Sequence, residues 1–411
     1  MTDDSQALGD TATAQSKVSR LAFVDLLRVA LIGLVIAHHA GQAYGPTGGD
    51  WPVTEPGTME WLGPFFAVNA AFFMGLLFLL AGYFVPGSYD RRGAGRLMNA
   101  RWKRIGIPLA FFALVVHVPV VYLAESERLP FGEYVRSLYQ GGWQNVYLHL
   151  WFLGHLLLYS GAYVAWRKFS ERRASGSRKT WPLPNHVSIV GFVIALALIT
   201  WLVRFWYPID EWVPLLFVLA AEPAHLPQYV SLFTLGVIAY RGDWLRRLST
   251  GLGMAWLGVG VIASAGMYAL WLLAPDRWDS VASTGGTNWQ SLVYSTWEAV
   301  ICAGLSVGLV VLFRQVFNRT GRVLTAMAAA SYAAYILHWL IVVGLQSGLE
   351  GVDMPVLAKF GLVTAFATLL AFGIGQISRR VPGLRVILGT TAGPSTNKEQ
   401  EPVDVSQSID P

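Results

Sequence analysis

The sequence predicts an all-α membrane protein: a polytopic helical bundle of about ten transmembrane helices with both termini in the cytoplasm. Of its 411 residues, 54% are hydrophobic and only 13% are charged, whereas a soluble domain carries about 25% charged residues. Ten apolar segments are long enough to cross the hydrocarbon, which takes about 20 helical residues. Lys and Arg are concentrated in every second connection between those segments. These observations exclude a soluble protein and give no reason to expect nucleic-acid binding.

The apolar segments are separated by short polar connections, so we expect a single membrane domain over residues 21–380. The stretch EWVPLLFVLAAEPAH before the sixth segment is apolar but interrupted by Pro214 and Pro223, and an interfacial or re-entrant segment is expected there on the outer side. The polar termini, 1–20 and 381–411, are predicted to be disordered cytoplasmic segments. The ten predicted spans are 21–44, 63–86, 105–124, 147–166, 186–207, 225–240, 252–274, 291–313, 324–345 and 356–377.

The distribution of Lys and Arg orients these spans, because cytoplasmic loops carry the excess of both residues. With the N-terminus in the cytoplasm, the inner segments hold 24 of the 30 basic residues, and only Arg128, Arg136, Arg277 and Lys359 lie on the outer side. Both termini are therefore predicted to be cytoplasmic in a multi-pass protein of the cell membrane. The single cysteine, Cys302, excludes an intrachain disulfide.

The first span contains four ionisable residues, Asp25, Arg28, His38 and His39, in DLLRVALIGLVIAHHAGQAY. Such a side chain at the bilayer centre costs about 2.5–3.5 kcal/mol, so these residues are rare and mostly functional. Arg28 and His39 are about three helical turns apart, and Asp25 precedes Arg28 by three residues. The three form one stripe about 20 Å long, with a purely structural ion pair as the alternative interpretation. His38 points about 100° away from His39 and is predicted to pack or to support the site.

Further polar residues lie in or at the ends of other spans. Polar groups at such depth mostly face the bundle interior or a water-filled cavity, so together they predict a hydrophilic cavity in the membrane plane. Taken singly, each histidine has a competing interpretation as a residue bonded to a neighbouring helix, which we favour for His117 and His155. Glu298 is harder to explain in that way, because a buried carboxylate needs a partner or a proton. The set comprises His117, His149, His155, Arg204, Glu298 and His338.

The connection RRGAGRLMNARWKRIGIP carries two arginines, Arg101 and Arg104, where a cytoplasmic helix would continue into the third span. Arginine presents forked donors suited to phosphate, so this pair is a candidate site for nucleotide phosphates. The alternative is that both are ordinary positive-inside residues, as we expect for Arg91, Arg92 and Arg96.

Five short motifs follow one another along the chain: RVALIGLVIAHH, FLLAGYF, RWKRIGIP, HLWFL and SYAAYILH. Together they resemble the acyltransferase-3 family of integral membrane acyltransferases, with coverage of nearly the whole chain. The first motif of the family is an Arg and a His with ten residues between them. In this chain that spacing fits Arg28 and His39 and excludes His38. HLWFL with RIGIP is most similar to the glucan-succinylating (glucan biosynthesis protein C-like) branch. That branch has an Arg where this chain has Phe73, so acetyl and succinyl both stay open as the acyl group.

The resemblance implies transfer of an acyl group from cytoplasmic acyl-CoA (acetyl-CoA or succinyl-CoA) to a hydroxyl of an extracytoplasmic glycan or glycolipid. His39 is then the general base, with a covalent acyl-histidine as the alternative. Arg28 holds the donor or stabilises developing charge, and Asp25 orients Arg28. Arg101 and Arg104 bind the CoA phosphates, and no metal is expected. The acceptor side or cavity is expected to be lined by Glu298, His149, His338 and Arg204.

Two other functions fit part of the sequence. In a multi-pass transporter, the same buried residues would form a proton or substrate relay, which explains the cavity equally well. A transporter does not explain the joint occurrence of RWKRIGIP, HLWFL and the first-span motif. A non-catalytic assembly scaffold does not require so many costly charges inside the membrane. The sequence gives no indication of protein partners.

Overall fold

The computed structural model of the chain describes residues 21–46, 51–124, 129–138, 146–171, 180–216, 219–274, 285–318 and 321–390. The predictions of disorder for 1–20 and for 391–411 lie outside these residues. Within them, each of the ten predicted spans coincides with helical structure. In chain order the helices are α1 (Ala22–Gly41), α2 (Leu62–Ala70), α3 (Phe73–Arg101), α4 (Ile107–Phe111), α5 (Val118–Ala124), α6 (Phe131–Ser137), α7 (Trp151–Glu171), α8 (His186–Val203), α9 (Leu226–Gly242), α10 (Trp244–Arg247), α11 (Thr250–Leu273), α12 (Trp289–Val316), α13 (Arg322–Gly348), α14 (Val356–Ser378) and α15 (Pro382–Ile387).

Eight helical stretches among the described residues are long and apolar enough to cross a membrane. One of them, Leu62–Leu123, contains both the second and the third predicted spans. The sixth predicted span is α9, which has 17 residues. The chain is therefore an all-α polytopic helical bundle, as predicted.

The third predicted span is an irregular helix. Two wide π-helical turns, Trp102–Gly106 and Phe112–His117, alternate with α4 and α5. A proline lies just after each wide turn, at Pro108 and Pro119. Because proline has no backbone N–H and its ring clashes with the preceding turn, a widened turn accommodates it.

Close backbone contacts hold the bundle together. Gly82 of α3 and Gly236 of α9 lie where a Cβ would collide with a carbonyl oxygen of the facing helix. Gly260 of α11 and Gly304 of α12 face one another in the same way. Small residues at helix crossings let two backbones approach closely, which is how helices associate in membranes. The remaining core pairs α13 with α14 and places α1 against α12, α13 and α14.

The two ends of the bundle differ in structure. The end at which α1 finishes carries two short antiparallel strands, β1 (Val213–Leu215) and β2 (Leu219–Ala221), followed by a 3-10 turn, Pro223–His225. This hairpin occupies the apolar stretch that the sequence marks as interfacial or re-entrant. We call this end the hairpin end. The opposite end, where α1 begins, includes residues 91–104 with Arg101 and Arg104, and we call it the basic end.

The prediction that disorder begins at residue 381 is wrong for the first part of the tail. Residues Pro382–Ile387 form α15, and Leu388 behind it is 3% exposed. Gly389 follows with a φ of +57°, against the carbonyl of Arg104 and the ring of Tyr332. The positive φ is a conformation that glycine adopts without strain, and it turns the chain back onto the bundle so that Leu388 is buried.

Candidate active site

The polar stripe of α1 begins with an ion pair. Arg28 Nη1 lies 3.3 Å from Asp25 Oδ1, and the Arg28 side chain keeps 33% of its surface exposed. Because α1 is helical from Ala22 to Gly41, His39 lies about 16 Å further along the same face, at a rise of 1.5 Å per residue. The expected pairing of Asp25 with Arg28 is present.

His39 lies in a cluster of four histidines near the hairpin end. Its ring centroid is 5.0 Å from that of His338 and 6.5 Å from that of His149. His149 is in turn 4.6 Å from His338 and 5.5 Å from His117. Helices α1 and α13, the 3-10 turn before α7 and the irregular third span each contribute one ring. We call this set (His39, His117, His149 and His338) the histidine cluster.

Backbone carbonyls fix the tautomers of three members of the histidine cluster. Nε2 of His149 bonds to the carbonyl of Ile336 at 3.0 Å, Nδ1 of His338 to Tyr335 at 2.6 Å, and Nδ1 of His117 to Val146 at 3.0 Å. A carbonyl only accepts, so each of these nitrogens carries a proton. In the neutral rings the second nitrogen is then an acceptor, and all three second nitrogens are buried without a hydrogen-bond partner among the described residues.

His39 differs from the other three. No hydrogen bond joins its ring nitrogens to a described residue, and its Nδ1 is buried without a partner. The residue as a whole is only partly buried. His39 is therefore the one member of the histidine cluster whose tautomer the described backbone does not set.

Sequence reasoning missed the residue that covers His39. The indole of Trp51 stacks on the His39 ring, with centroids 5.5 Å apart and an interplanar angle of 21°. Its Nε1–H donates to Gln346 Oε1 at 2.8 Å, and Gln346 Nε2 donates to the Ala40 carbonyl at 3.0 Å. Gln346 of α13 thus ties Trp51 to the end of α1. The residues lie 295 positions apart along the chain, which no local pattern reveals.

His38 lies outside the cluster's polar face, as its helical register predicts. Its ring is 5.0 Å from Phe66 and 5.1 Å from Phe73, and Gln42 lies 3.3 Å from its Nε2. Phe73 is the position at which the predicted resemblance to the glucan-succinylating branch breaks down. The phenyl ring of Phe73 packs against the His38 ring.

The second polar site at the hairpin end is a buried network of charges. Arg204 Nη2 lies 2.5 Å from Glu298 Oε2, and His225 Nε2 lies 3.4 Å from the other carboxylate oxygen of Glu298. Glu222 Oε2 is 2.8 Å from His225 Nδ1, and Glu222 also accepts the backbone N–H of Asp210 at 3.0 Å. We call these five residues the ion-pair cluster. A cavity of about 10 Å³ lies beside Arg204, His225 and Glu298, which is at most enough for one water molecule.

Asp210, Glu222 and His225 lie in the connection between α8 and α9, outside both helices, and have displaced pKa values. Burial lowers the pKa of His225, but the neighbouring Glu222 and Glu298 outweigh that effect and raise it to about 10. Burial and the charge of Glu222 raise the pKa of Asp210 to about 6. Burial opposes ionisation of Glu222, yet His225 holds its pKa below the usual value. Arg204 with Glu298 and His225 with Glu222 therefore form two pairs of opposite charges that neutralise one another.

The structure separates two groups that the sequence placed together on an acceptor side. His149 and His338 lie beside His39, whereas Arg204 and Glu298 lie in the ion-pair cluster. Aromatic rings stand between the two: Tyr229 stacks on both His225 and Trp151. Glu222 and His225 were overlooked, although their spacing of three residues beside Pro223 was a visible indication of a pair.

The arginines of the basic end fall into two classes. Arg167 and Arg241 both pair with Asp90, at 3.4 Å and 2.8 Å. Arg101 and Arg104 pair with no acidic side chain of the described residues, and the Arg104 guanidinium lies 5.6 Å from the centre of the Tyr332 ring. Two cations without acidic partners beside an aromatic ring form a candidate anion site.

The remaining buried polar residues have local partners. His155 is 0% exposed, and its Nδ1 donates to the Trp151 carbonyl of its own helix at 2.9 Å. In the described part of the chain, no group of three His, Cys, Asp or Glu side chains is arranged to hold a metal ion.

Comparison with known proteins places this arrangement in a family. Residues 21–376 match the acyltransferase-3 family model, which is described as an acyltransferase domain. The match covers all of the helices from α1 to α13 and most of α14. Searches of curated proteins and of solved structures found no match to this chain.

Proposed function

Because the chain belongs to the acyltransferase-3 family, we propose that it transfers an acetyl or succinyl group from acyl-CoA to a hydroxyl of a glycan or glycolipid. In this proposal the basic end faces the cytoplasm and binds the donor, and the hairpin end meets the acceptor on the outer side. The observation that supports it most is the environment of His39. Its ring stacks on Trp51 within the histidine cluster, and no described residue forms a hydrogen bond to its nitrogens.

The chemistry follows from that free nitrogen. His39 removes the proton of the acceptor hydroxyl, and the oxygen attacks the thioester carbon of acyl-CoA. The new C–O bond forms while the C–S bond breaks, and the CoA sulfur leaves with the electron pair of that bond. The sulfur takes the proton back from His39, so the products are an ester and free CoA. A correctly positioned general base contributes about 10²–10⁴ in rate.

The donor side is assigned to three arginines. Arg101 and Arg104 lack acidic partners in the described part of the chain, so their donors are available to the phosphates of CoA. Arg28 is held by Asp25 deeper in the bundle and would stabilise charge near the pantetheine. The distance of about 16 Å from Arg28 to His39 is similar to the reach of an extended pantetheine arm. The thioester can then meet the acceptor without the CoA crossing the membrane.

The acceptor side is assigned to the surroundings of His39. His149 offers a ring nitrogen, Nδ1, that accepts hydrogen bonds, and sugar hydroxyls donate them. Arg204 and Glu298, which the sequence also placed there, are already paired with one another. We therefore leave them out of the acceptor site.

Turnover by the purified protein in lipid nanodiscs tests the proposal. Acetyl-CoA and succinyl-CoA are supplied with cell-envelope glycans, free CoA thiol is measured, and the glycans are examined by mass spectrometry for the added acyl group. We expect thiol and ester in equal amounts from the wild type, and a loss of about 10²-fold or more in His39→Ala.

His38→Phe is the matched control, because its ring already packs among phenyl groups. We expect it to keep near wild-type turnover. Full activity of His39→Ala, or an ester-free wild type that moves glycans across the membrane, would contradict the proposed reaction. The second outcome would favour the transporter.

A further inference from the structure

We propose that His338 is a positioning residue that sets the tautomer of His39. The inference rests on the proposed function, in which His39 is the general base. It assigns to His338 a hydrogen bond with His39 in place of a contact with the acceptor. His338 would thus orient the base as a carboxylate does in a Ser-His-Asp triad.

The first step of the argument is the protonation of His338. Its Nδ1 lies 2.6 Å from the carbonyl oxygen of Tyr335, one turn earlier in α13. A carbonyl accepts and never donates, so Nδ1 carries the proton and Nε2 presents a lone pair. The residue is 0% exposed, and no described group bonds to that Nε2.

The second step is the absence of another donor among the rings around His338. His149 is the nearest, at 4.6 Å between centroids, but its proton is on Nε2, bonded to Ile336. Its other nitrogen is an acceptor, and two acceptors do not bond. Tyr335 donates its hydroxyl to the carbonyl of His149. Among the described ring neighbours, His39 alone has an N–H that is not committed.

The third step is the match between the two unpartnered atoms. His39 Nδ1 and His338 Nε2 are both buried without a hydrogen-bond partner in the described part of the chain, and their rings are 5.0 Å apart with a tilt of 41°. A proton on His39 Nδ1 can be donated to His338 Nε2 after a small ring rotation. One bond then satisfies both atoms, each of which otherwise loses hydrogen bonding on burial.

The consequence for the reaction is a defined base. With the proton on Nδ1, the lone pair of His39 lies on Nε2, which is the nitrogen that takes the acceptor proton. The resulting imidazolium keeps its Nδ1–H bond to His338, so His338 gains no proton and changes no charge. Without His338, His39 can hold its proton on either nitrogen, and part of the enzyme carries it on the wrong one.

Turnover of three variants in nanodiscs, with acyl-CoA as the varied substrate, tests this inference. His338→Leu removes the acceptor, and we expect kcat to fall about 10- to 100-fold with KM for acyl-CoA unchanged. His338→Gln keeps an N–H donor for the Tyr335 carbonyl and an acceptor for His39. Its fall in log kcat should therefore be at most half of that of His338→Leu. His155→Leu is the control, since it removes another buried histidine with a carbonyl bond, and it should retain wild-type kcat.

A spectroscopic readout makes the role distinguishable from a structural one. In protein labelled with ¹⁵N-histidine, the nitrogen shifts of His39, assigned by its absence in His39→Ala, should show the Nδ1–H tautomer in the wild type. His338→Leu should show a mixture. If His338→Leu does not fold, His338→Gln and the wild-type tautomer still decide the matter.

The outcomes separate the two claims. An active His39→Ala would overturn the proposed function itself. An inactive His39→Ala together with a fully active His338→Leu, or a wild type with its proton on Nε2 of His39, would overturn only the positioning role of His338.

Discussion

The two polar sites at the hairpin end look alike in sequence and opposite in structure. Both consist of ionisable residues, most of them buried in the bundle, where a polar group without a partner is costly. In the ion-pair cluster Arg204, Glu298, His225 and Glu222 each have an opposite charge within 3.4 Å. In the histidine cluster, ring nitrogens of all four members are buried without partners in the described structure. The paired groups of the ion-pair cluster stabilise the fold, and the unpaired ring nitrogens of the histidine cluster are available to a substrate.

The same contrast recurs at the basic end. Asp90 joins Arg167 of α7 to Arg241 of α9, and these ion pairs hold helices together. Arg101 and Arg104 have no acidic partner in the described chain, and their donors remain available. We therefore expect changes to the paired sites to alter stability, and changes to the unpaired sites to alter turnover.

The largest effect should come from breaking the ion-pair cluster. Glu298→Ala leaves Arg204, which is 0% exposed, buried without its carboxylate, and a broken buried pair costs about 3–5 kcal/mol in unfolding free energy. Thermal unfolding in nanodiscs measures this loss. The double variant Arg204→Met with Glu298→Leu should lie closer to the wild type, because no unpaired charge is left. A stable Glu298→Ala protein with lost turnover would place Glu298 in the chemistry and break the contrast.

The next largest effect is expected at the unpaired arginines. Changing Arg101 and Arg104 together to Gln should raise KM for acyl-CoA by about 10²-fold or more, because each of the two lost charge-assisted hydrogen bonds contributes about 1.5–3 kcal/mol. The unfolding temperature should stay near that of the wild type. Arg91→Gln with Arg92→Gln, two exposed arginines of the same segment, is the control. An equal rise in KM in both double variants would show that Arg101 and Arg104 act only as ordinary positive-inside residues.

A smaller effect should appear as a pH dependence confined to the ion-pair cluster. The pKa of His225 is raised to about 10, above its ordinary value of about 6.5. Its charge therefore stabilises the fold fully below pH 6.5, and this stabilisation is lost as pH rises through about 10. Between pH 7 and 10.5 the wild type should lose a few degrees more of its unfolding temperature than His225→Gln. Identical slopes for both proteins would show that His225 is uncharged in the fold. Asp210, with a pKa of about 6, titrates below this window.

The smallest effect is predicted for the cover of His39. Trp51→Phe keeps an aromatic face on His39 but loses the indole hydrogen bond to Gln346, which is worth about 0.5–1.5 kcal/mol. We expect kcat to fall about 2- to 10-fold, with KM for acyl-CoA unchanged. Gln346→Leu should give a similar loss, and the double variant should not add to it, because both changes remove one bond. If the losses of the two single variants add up in the double variant, the effect of Trp51 on kcat does not depend on its hydrogen bond to Gln346.

Much of the fold could be predicted because the membrane imposes a length and a composition on each span. Each of the ten segments that hydropathy indicates coincides with helical structure, and the 3.6-residue helical period places Asp25, Arg28 and His39 on one face of α1. The period also assigned His38 to a different environment, where the structure shows phenyl groups. These are local properties of a helix, and a sequence carries them directly.

The parts that could not be predicted depend on contacts between distant segments. Trp51 meets Gln346 across 295 positions, and Arg204 meets Ser295 across 91. The division between paired and unpaired polar groups therefore emerges only when helices are packed. The short strands around Pro214 were missed because they pair over only three residues, less than a period-2 pattern needs. The α15 segment was missed because few apolar residues anchor it: Leu388 is buried, and Ile387 packs against the core.

A cryo-EM structure of the protein with a non-hydrolysable acyl-CoA thioether is the most direct test that acyl transfer takes place at the histidine cluster. We predict the acyl carbon beside the ring of His39 and the CoA phosphates at Arg101 and Arg104. An acyl group lodged in the ion-pair cluster, or CoA bound at the hairpin end, would contradict the assignment of both sites.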